Sequence, residues 1–190
     1  MQKDTETFQK LIKAAACCFS ERGFSATSVK EIAARAGISQ GAMYTYFKSK
    51  DDLIAAIVLE EQHSALEKQG QDYTTSHFQR LCDLVVSCIS DVGYPVTHNL
   101  WVEILAESAR NPKLRETFVE SDKAMRKGIA RIIDQGVSNG EFRPGIRSRE
   151  ATLYIFALMD GLIARKAIDP NFSVSKSLPS FVRVLRSILS

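Results

Sequence analysis

The sequence predicts an all-α protein of about nine helices, and three observations carry that expectation. Apolar residues recur at helical spacing in one segment after another. The segment ends carry glycine stops and Ser or Asn caps. No run alternates apolar and polar residues as a half-buried strand would. With 190 residues, 45% of them hydrophobic and 25% charged, the chain can bury a substantial core. That composition excludes a disordered tail and a disulfide-stapled mini-domain.

In the first predicted helix, Phe8, Leu11, Ile12, Ala15 and Phe19 lie on one face. Gly23 followed by Phe24 reads as a glycine stop with an apolar residue behind it. Ser28-Val29-Lys30-Glu31 is a capping box with Ser at the N-cap and Glu three residues on. Val29, Ile32, Ala33 and Ala36 form the next stripe, and Gly37-Ile38 repeats the stop. Ser39 caps a third, short helix with Met43 and Phe47 inward. Ser49-Lys50-Asp51-Asp52 resembles a capping box with Asp in place of Glu. It opens a long helix through Leu53, Ile54, Ile57, Val58 and Glu61 to about Lys68.

Later helices are expected near 74–91, 97–109, 112–138, 148–168 and 173–189. Gly93-Tyr94-Pro95 breaks the first of these, and Asn111-Pro112 opens the third as N-cap and N1. Gly140-Glu141-Phe142-Arg143-Pro144-Gly145 is a loop, and Asp169-Pro170 ends the helix over 148–168. The last segment is amphipathic through Leu178, Phe181, Val182, Leu185, Ile188 and Leu189. Pro179 lies past its first turn, which predicts a kink or a later start.

The net charge is only +3, but it is uneven. Residues 1–50 hold eight Lys and Arg against four acids, whereas residues 51–190 hold 17 against 18. A basic module on a near-neutral body suits a nucleic-acid reader. Cys17, Cys18, Cys82 and Cys88 form no CxxC pair, and His63, His77 and His98 have no second ligand at helical spacing, so no metal and no cofactor is expected. The cysteines read as small hydrophobes in a reducing cytoplasm, with a redox switch as the alternative. No apolar run approaches the roughly 20 residues of a membrane helix. The polar stretch Met1-Gln2-Lys3-Asp4-Thr5-Glu6 does not look like a secretory signal, so a cytoplasmic protein is expected. No nucleophile–base pair or phosphate loop suggests an enzyme.

Between Gly37 and Ser39 stands one residue, so the second and third helices must cross steeply. The third is too short to be stable alone, and Met43 and Phe47 must anchor it. Its other face carries Ser39, Gln40, Gly41, Tyr44 and Thr45. Gly41 and Ala42 allow close approach to DNA, Gln40 can read a base edge, and Tyr44 can reach a phosphate or a thymine methyl. Thr27 and Ser28 at one helix amino end, and Lys48 and Lys50 at another, are suited to phosphates.

Residues 29–53, VKEIAARAGISQGAMYTYFKSKDDL, closely resemble the signature of the TetR family of bacterial transcriptional regulators. The resemblance covers about residues 8–57. It includes Ala14-Ala15, Phe19, Gly23-Phe24, Thr27-Ser28-Val29, Ile32-Ala33, Ala36-Gly37, Ser39, Gly41, Tyr44, Tyr46-Phe47 and Lys50. Met43 stands where the family usually has another large apolar residue. The expected DNA-binding set is Thr27, Ser28, Ser39, Gln40, Gly41, Ala42, Tyr44, Tyr46, Lys48 and Lys50. The resemblance implies a homodimer with two helix-turn-helix heads, usually a repressor relieved by a small molecule. A regulator without such a switch, or an activator, is the alternative.

Trp101-Val102-Glu103, Ala106-Glu107, Asn111-Pro112, Gly140-Glu141-Phe142 and Asp160-Gly161-Leu162 look like the carboxyl-terminal domain of BetI-type members. The implied organisation is a DNA-binding domain over 1–49 and a ligand-binding and dimerisation domain over 50–190. The helix over 148–168 is apolar nearly all round, so both sides must be covered. Together with the helix over 173–189 it is expected to form a two-fold four-helix interface. Phe78, Trp101, Phe118, Met125 and Tyr154 are candidates for a ligand pocket, with Glu103 or Asp160 as polar anchor; an aromatic cage would suit a cation. The competing reading of these residues is ordinary helical core.

Overall fold

The computed structural model describes residues 2–169 and 171–190, with side chains from residue 5 onward. Met1, the side chains of Gln2, Lys3 and Asp4, and the expected stop at Pro170 lie outside the described residues. Among the described residues there are nine helices and no strand. They are α1 (Gln2–Arg22), α2 (Val29–Arg35), α3 (Gln40–Met43), α4 (Lys50–Gly70), α5 (His77–Ser90), α6 (His98–Arg110), α7 (Pro112–Ser138), α8 (Ser148–Ile168) and α9 (Val174–Leu189).

The boundaries follow local chemistry. Gly23 and Gly37 adopt φ of 80° and 72°, the left-handed conformation that ends a helix. Ser76 and Thr97 cap α5 and α6 through bonds from the Gln79 and Leu100 amides. The Ser76 cap starts α5 at His77, later than the apolar spacing suggests. Asn111 Oδ1 accepts from the amides of Lys113 and Leu114, so Asn111-Pro112 opens α7 as N-cap and N1. In α9, Pro179 lies inside the helix, which starts at Val174 and not later. Proline removes the amide that would bond the Ser175 carbonyl, and both residues are exposed, so water can solvate that carbonyl.

The chain divides into two compact units, Met1–Glu61 with Tyr94–Ser121, and Gln62–Gly93 with Asp122–Ser190. In the first, α1 packs on both α2 and α6. Its core joins Leu11, Ile12, Ala15 and Phe19 of α1 to Ile32, Met43, Leu53, Ile54, Ile57, Leu100 and Ile104. The core of the second unit is built from α5 (Leu81, Val85, Ile89), α7 (Ile129, Ile133), α8 (Ile155, Met159) and α9 (Phe181, Leu185, Leu189). Phe142 closes it by lying so near Gly136 that a Cβ there would stand 2.3 Å from the ring. The neighbouring Glu141 carboxylate accepts from the amides of His77 and Phe78, and so caps α5 from another part of the chain.

Helix α8 is covered on one side within this unit. Ala151, Thr152, Ile155, Met159 and Ile163 are buried, whereas Leu153, Tyr154 and Leu158 stand 50%, 56% and 37% exposed. Cys18 and Cys82 are buried, Cys17 and Cys88 are half-buried, and none of the four forms a disulfide. Among the described residues no group of His, Cys, Asp and Glu could hold a metal, and no helix is long and apolar enough to cross a membrane.

Candidate nucleic-acid interface

The first unit builds its candidate surface from three local devices. Ser28 and Glu31 form the complete capping box of α2: the Glu31 amide donates to Ser28 Oγ at 3.2 Å, and the Ser28 amide to Glu31 Oε2 at 2.8 Å. At the other end, the Gly37 and Ile38 amides return to the carbonyls of Ala34 and Ala33, which turns the chain sharply. Ser39 then caps α3 through a bond from the Ala42 amide at 3.1 Å.

Only four residues of α3 are helical, fewer than the apolar spacing suggests, and tertiary contacts hold them. Met43 is fully buried, and Phe47 stacks on Phe8 with ring centroids 5.2 Å apart. The opposite face is open: Ser39, Gln40, Gly41, Ala42 and Tyr44 are exposed, with Lys48 nearby and Tyr46 half-buried. A Cβ on Gly41 would meet no atom nearer than Ser39 Oγ at 4.0 Å, so backbone is accessible there. Thr45 uses its hydroxyl on the Ala42 carbonyl.

Two expected phosphate donors are engaged elsewhere. Thr27 is 2% exposed, and its hydroxyl donates to the carbonyls of Gly23 and Cys18 at the end of α1. Lys50 Nζ donates to the carbonyls of Phe24 (2.7 Å), Thr27 (2.8 Å) and Ser25 (3.3 Å), and lies 4.6 Å from the centre of the Phe24 ring. Its ammonium closes the α1–α2 loop, so both side chains shape the head from inside. Ser28 and Lys48 stay exposed at the surface.

The expected ligand residues are divided between the two units. Trp101 and Phe118 meet in the first unit, with ring centroids 5.8 Å apart. In the second unit, Phe78 lies 4.1 Å beneath the Arg186 guanidinium, Met125 is buried, and Tyr154 is exposed in a shallow cleft with Arg147, Glu150 and Ile188. Neither Phe78 nor Met125 lines that cleft.

Glu103 has a role that sequence reasoning missed. Its carboxylate accepts the Phe24 amide at 2.5 Å and lies 3.3 Å from where a Gly23 Cβ would stand. It therefore ties α6 to the loop that Lys50 closes through the carbonyl of the same residue. The available signal was the Gly23-Phe24 stop, which leaves an amide in need of an acceptor. Two further ties join α4 to α7 in this unit: Asn111 donates to Asp51, and Lys113 pairs with Asp52 at 2.8 Å. The Lys113 ammonium holds the Asp52 carboxyl below its ordinary range.

A short, capped helix with an uncharged outer face fits the major groove, and the exposed donors around it fit the backbone. Residues 11–57 match the family model of bacterial regulatory proteins of the tetR family, and residues 79–185 match the BetI-type transcriptional repressor C-terminal model. The HTH-type transcriptional regulator UidR of Escherichia coli strain K12 is 30% identical over 167 residues, covering 86% of this chain and 84% of UidR. The structure of Salmonella enterica GusR superposes with a TM-score of 0.78 at 26% identity, covering 94% of each chain. That of FadR from Bacillus subtilis in complex with stearoyl-CoA gives 0.80 at 25% identity, covering 95% of this chain and 98% of FadR. With both family models and a relative matched over most of its length in agreement, this chain belongs to the TetR family, whose members are ligand-responsive transcriptional regulators that bind operator DNA as dimers and are not enzymes.

Proposed function

We propose that this regulator is a cytoplasmic repressor that occupies a roughly palindromic operator as a homodimer and is released by a small molecule. The observation that carries the reading is the α3 face, open and uncharged over a fully buried Met43. Residues 1–49 serve as the DNA-binding domain and residues 50–190 as the ligand-binding and dimerisation domain. Gln40 reads a base edge, and Gly41 and Ala42 allow close approach. Ser39, Tyr44 and Tyr46, with Ser28 and Lys48, hold the backbone, while Thr27 and Lys50 shape the loop behind them. The twin subunit covers the apolar faces of α8 and α9, where Leu153, Tyr154, Leu158 and Val184 are exposed.

Helix α4 is the covalent link, because it begins at the head and runs on into the second unit. Tilting it moves two recognition helices that must meet successive major grooves about 34–36 Å apart. A hundredfold release of operator requires about 2.7 kcal/mol of coupling, and operator must weaken the effector by the same factor. Trp101 and Phe118, whose rings meet in the first unit, are the residues we assign to effector contact. FadR, which resembles this chain, was crystallised with stearoyl-CoA, so fatty acyl thioesters are the first effectors to try.

The test is selection of bound duplexes from random sequence by the ligand-free protein. Two half-sites related by a two-fold axis are expected. Recovery of single, asymmetric half-sites by a monomer would overturn the reading. Within a recovered site, Gln40→Ala should change preference at one position by about 1–3 kcal/mol.

A further inference from the structure

The second unit carries a concentration of positive charge that DNA reading by the head does not use. A cleft of about 540 Å³ between α7 and the start of α8 is lined by Lys123, Arg126, Lys127, Arg131 and Arg149 against a single carboxylate, Asp134. Arg126 is paired with Asp122 at 2.6 Å. Lys127, Arg131 and Arg149 have no acid partner among the described residues.

Three local features make this placement unfavourable unless an anion is present. Lys123, Lys127 and Arg131 follow one another at four-residue intervals, so like charges stand in a row along one face of α7. Helix α8 opens at Arg147 without a side-chain cap. Arg149 then adds a cation at the positive end of the helix, where the peptide dipoles favour negative charge; Glu150 is in the same turn but is paired with Arg147. Ser148 lines the same cleft.

The cation row has a second side. Lys127 and Arg131 also line an adjoining cleft of about 380 Å³, whose other walls include Tyr73, Gln69 and Gln135. One wall of charge therefore separates a basic cleft from one that offers an aromatic ring, with Arg80 at 5.2 Å from its centre, and the Gln135 carboxamide, while the Gln69 amide donates to the Met125 carbonyl. Guanidinium and ammonium groups take phosphate oxygens. A ring with an amide beside it suits a flat, hydrogen-bonding base.

We propose that this ridge with its two clefts binds the phosphorylated adenosine head of a coenzyme A-type molecule, with phosphates on Lys127, Arg131 and Arg149 and the base beside Tyr73. This rests on the reading of a small-molecule-released repressor and names the chemistry that one part of the effector must carry.

The experiment is calorimetric titration of the full-length dimer with free coenzyme A, inorganic phosphate and a duplex lacking the operator. Wild type is expected to bind coenzyme A at least about tenfold more tightly than inorganic phosphate. The double variant Lys127→Gln/Arg131→Gln should lose at least about tenfold in coenzyme A affinity while keeping wild-type operator affinity. Arg149→Gln, on the other helix, should show a loss in the same direction and guards against a folding defect in the double variant. No binding of coenzyme A by wild type, or equal binding by all variants, overturns the proposal. So does inorganic phosphate binding as tightly as coenzyme A, which would mark a general anion site. A loss confined to non-operator duplex would assign the ridge to nucleic acid and also overturn it. Operator selection uses ligand-free wild type, so failure of the repressor reading shows separately.

Discussion

Helices α3 and α8 are completed in opposite ways. The first is four residues long and packs on α2, and its one large apolar side chain, Met43, is fully buried. The second is 21 residues long and apolar on nearly every side, yet Leu153, Tyr154 and Leu158 remain in water on the single chain. A short helix needs caps and an anchor, and those sit a few residues away in the sequence. A long helix with two apolar faces needs two partners, and one chain supplies only one. The head is thus specified locally, whereas the second unit is half of a larger object.

The largest expected effect tests the first half of that contrast. Phe47→Ala removes the ring that holds the end of the α3 segment against Phe8, at a cost of about 3–5 kcal/mol. Operator binding should vanish while the dimer persists, measured by fluorescence anisotropy and light scattering on one sample. A variant that still binds operator with near-native affinity would show that α3 does not depend on this anchor. Next in size, Leu158→Glu places a charge on the open face of α8. Leu158 is exposed on the protomer, so the protomer fold should survive, but the dimer should not. Operator affinity should fall about a hundredfold, equivalent to about 2.7 kcal/mol. A Leu158→Glu protein that sediments as a dimer would remove α8 from the interface.

The number of helices and most of their ends were legible because each end has a local cause. Ser28, Ser39, Gly37 and Asn111 act within a few residues of where they stand. The open face of α3 was legible for the same reason. The roles of Lys50 and Glu103 were not, because both depend on partners far along the chain. Lys50 reaches Phe24, 26 residues away, and Glu103 reaches the same residue across 79. A lysine beside a helix amino end looks the same in sequence whether it faces a phosphate or three carbonyls. The partners of the expected ligand residues were not legible for a related reason: an aromatic residue at core spacing says that it is buried, not which neighbour it meets.

A pair of lysines sharpens the contrast between surface and interior within the head. Lys50→Ala should cost about 1–2 kcal/mol of stability, because three carbonyls of the α1–α2 loop lose their donor. The salt dependence of operator binding should stay as in wild type. Lys48→Ala should leave the melting temperature unchanged and lower the salt slope by about one per subunit. The reverse pattern would return Lys50 to the phosphate backbone.

The smallest effect concerns Glu141, the cap that reaches α5 across 63 residues. Burial pushes its carboxyl up, but hydrogen bonds from the Phe78 and His77 amides and from the His77 ring outweigh it, and the net shift is downward from the ordinary 4.5. A depressed carboxylate stabilises the fold fully above its unfolded value, and that stability is lost as pH falls through the lower folded one. The cap should therefore hold undiminished above about pH 5 and fade below 4.5. Glu141→Gln keeps an acceptor oxygen but has no charge to lose. It should cost about 1 kcal/mol at pH 7, and its stability curve should converge on that of wild type as the pH is lowered toward 3. Parallel curves over pH 3–7, measured by urea denaturation, would show that the Glu141 charge contributes nothing to holding α5.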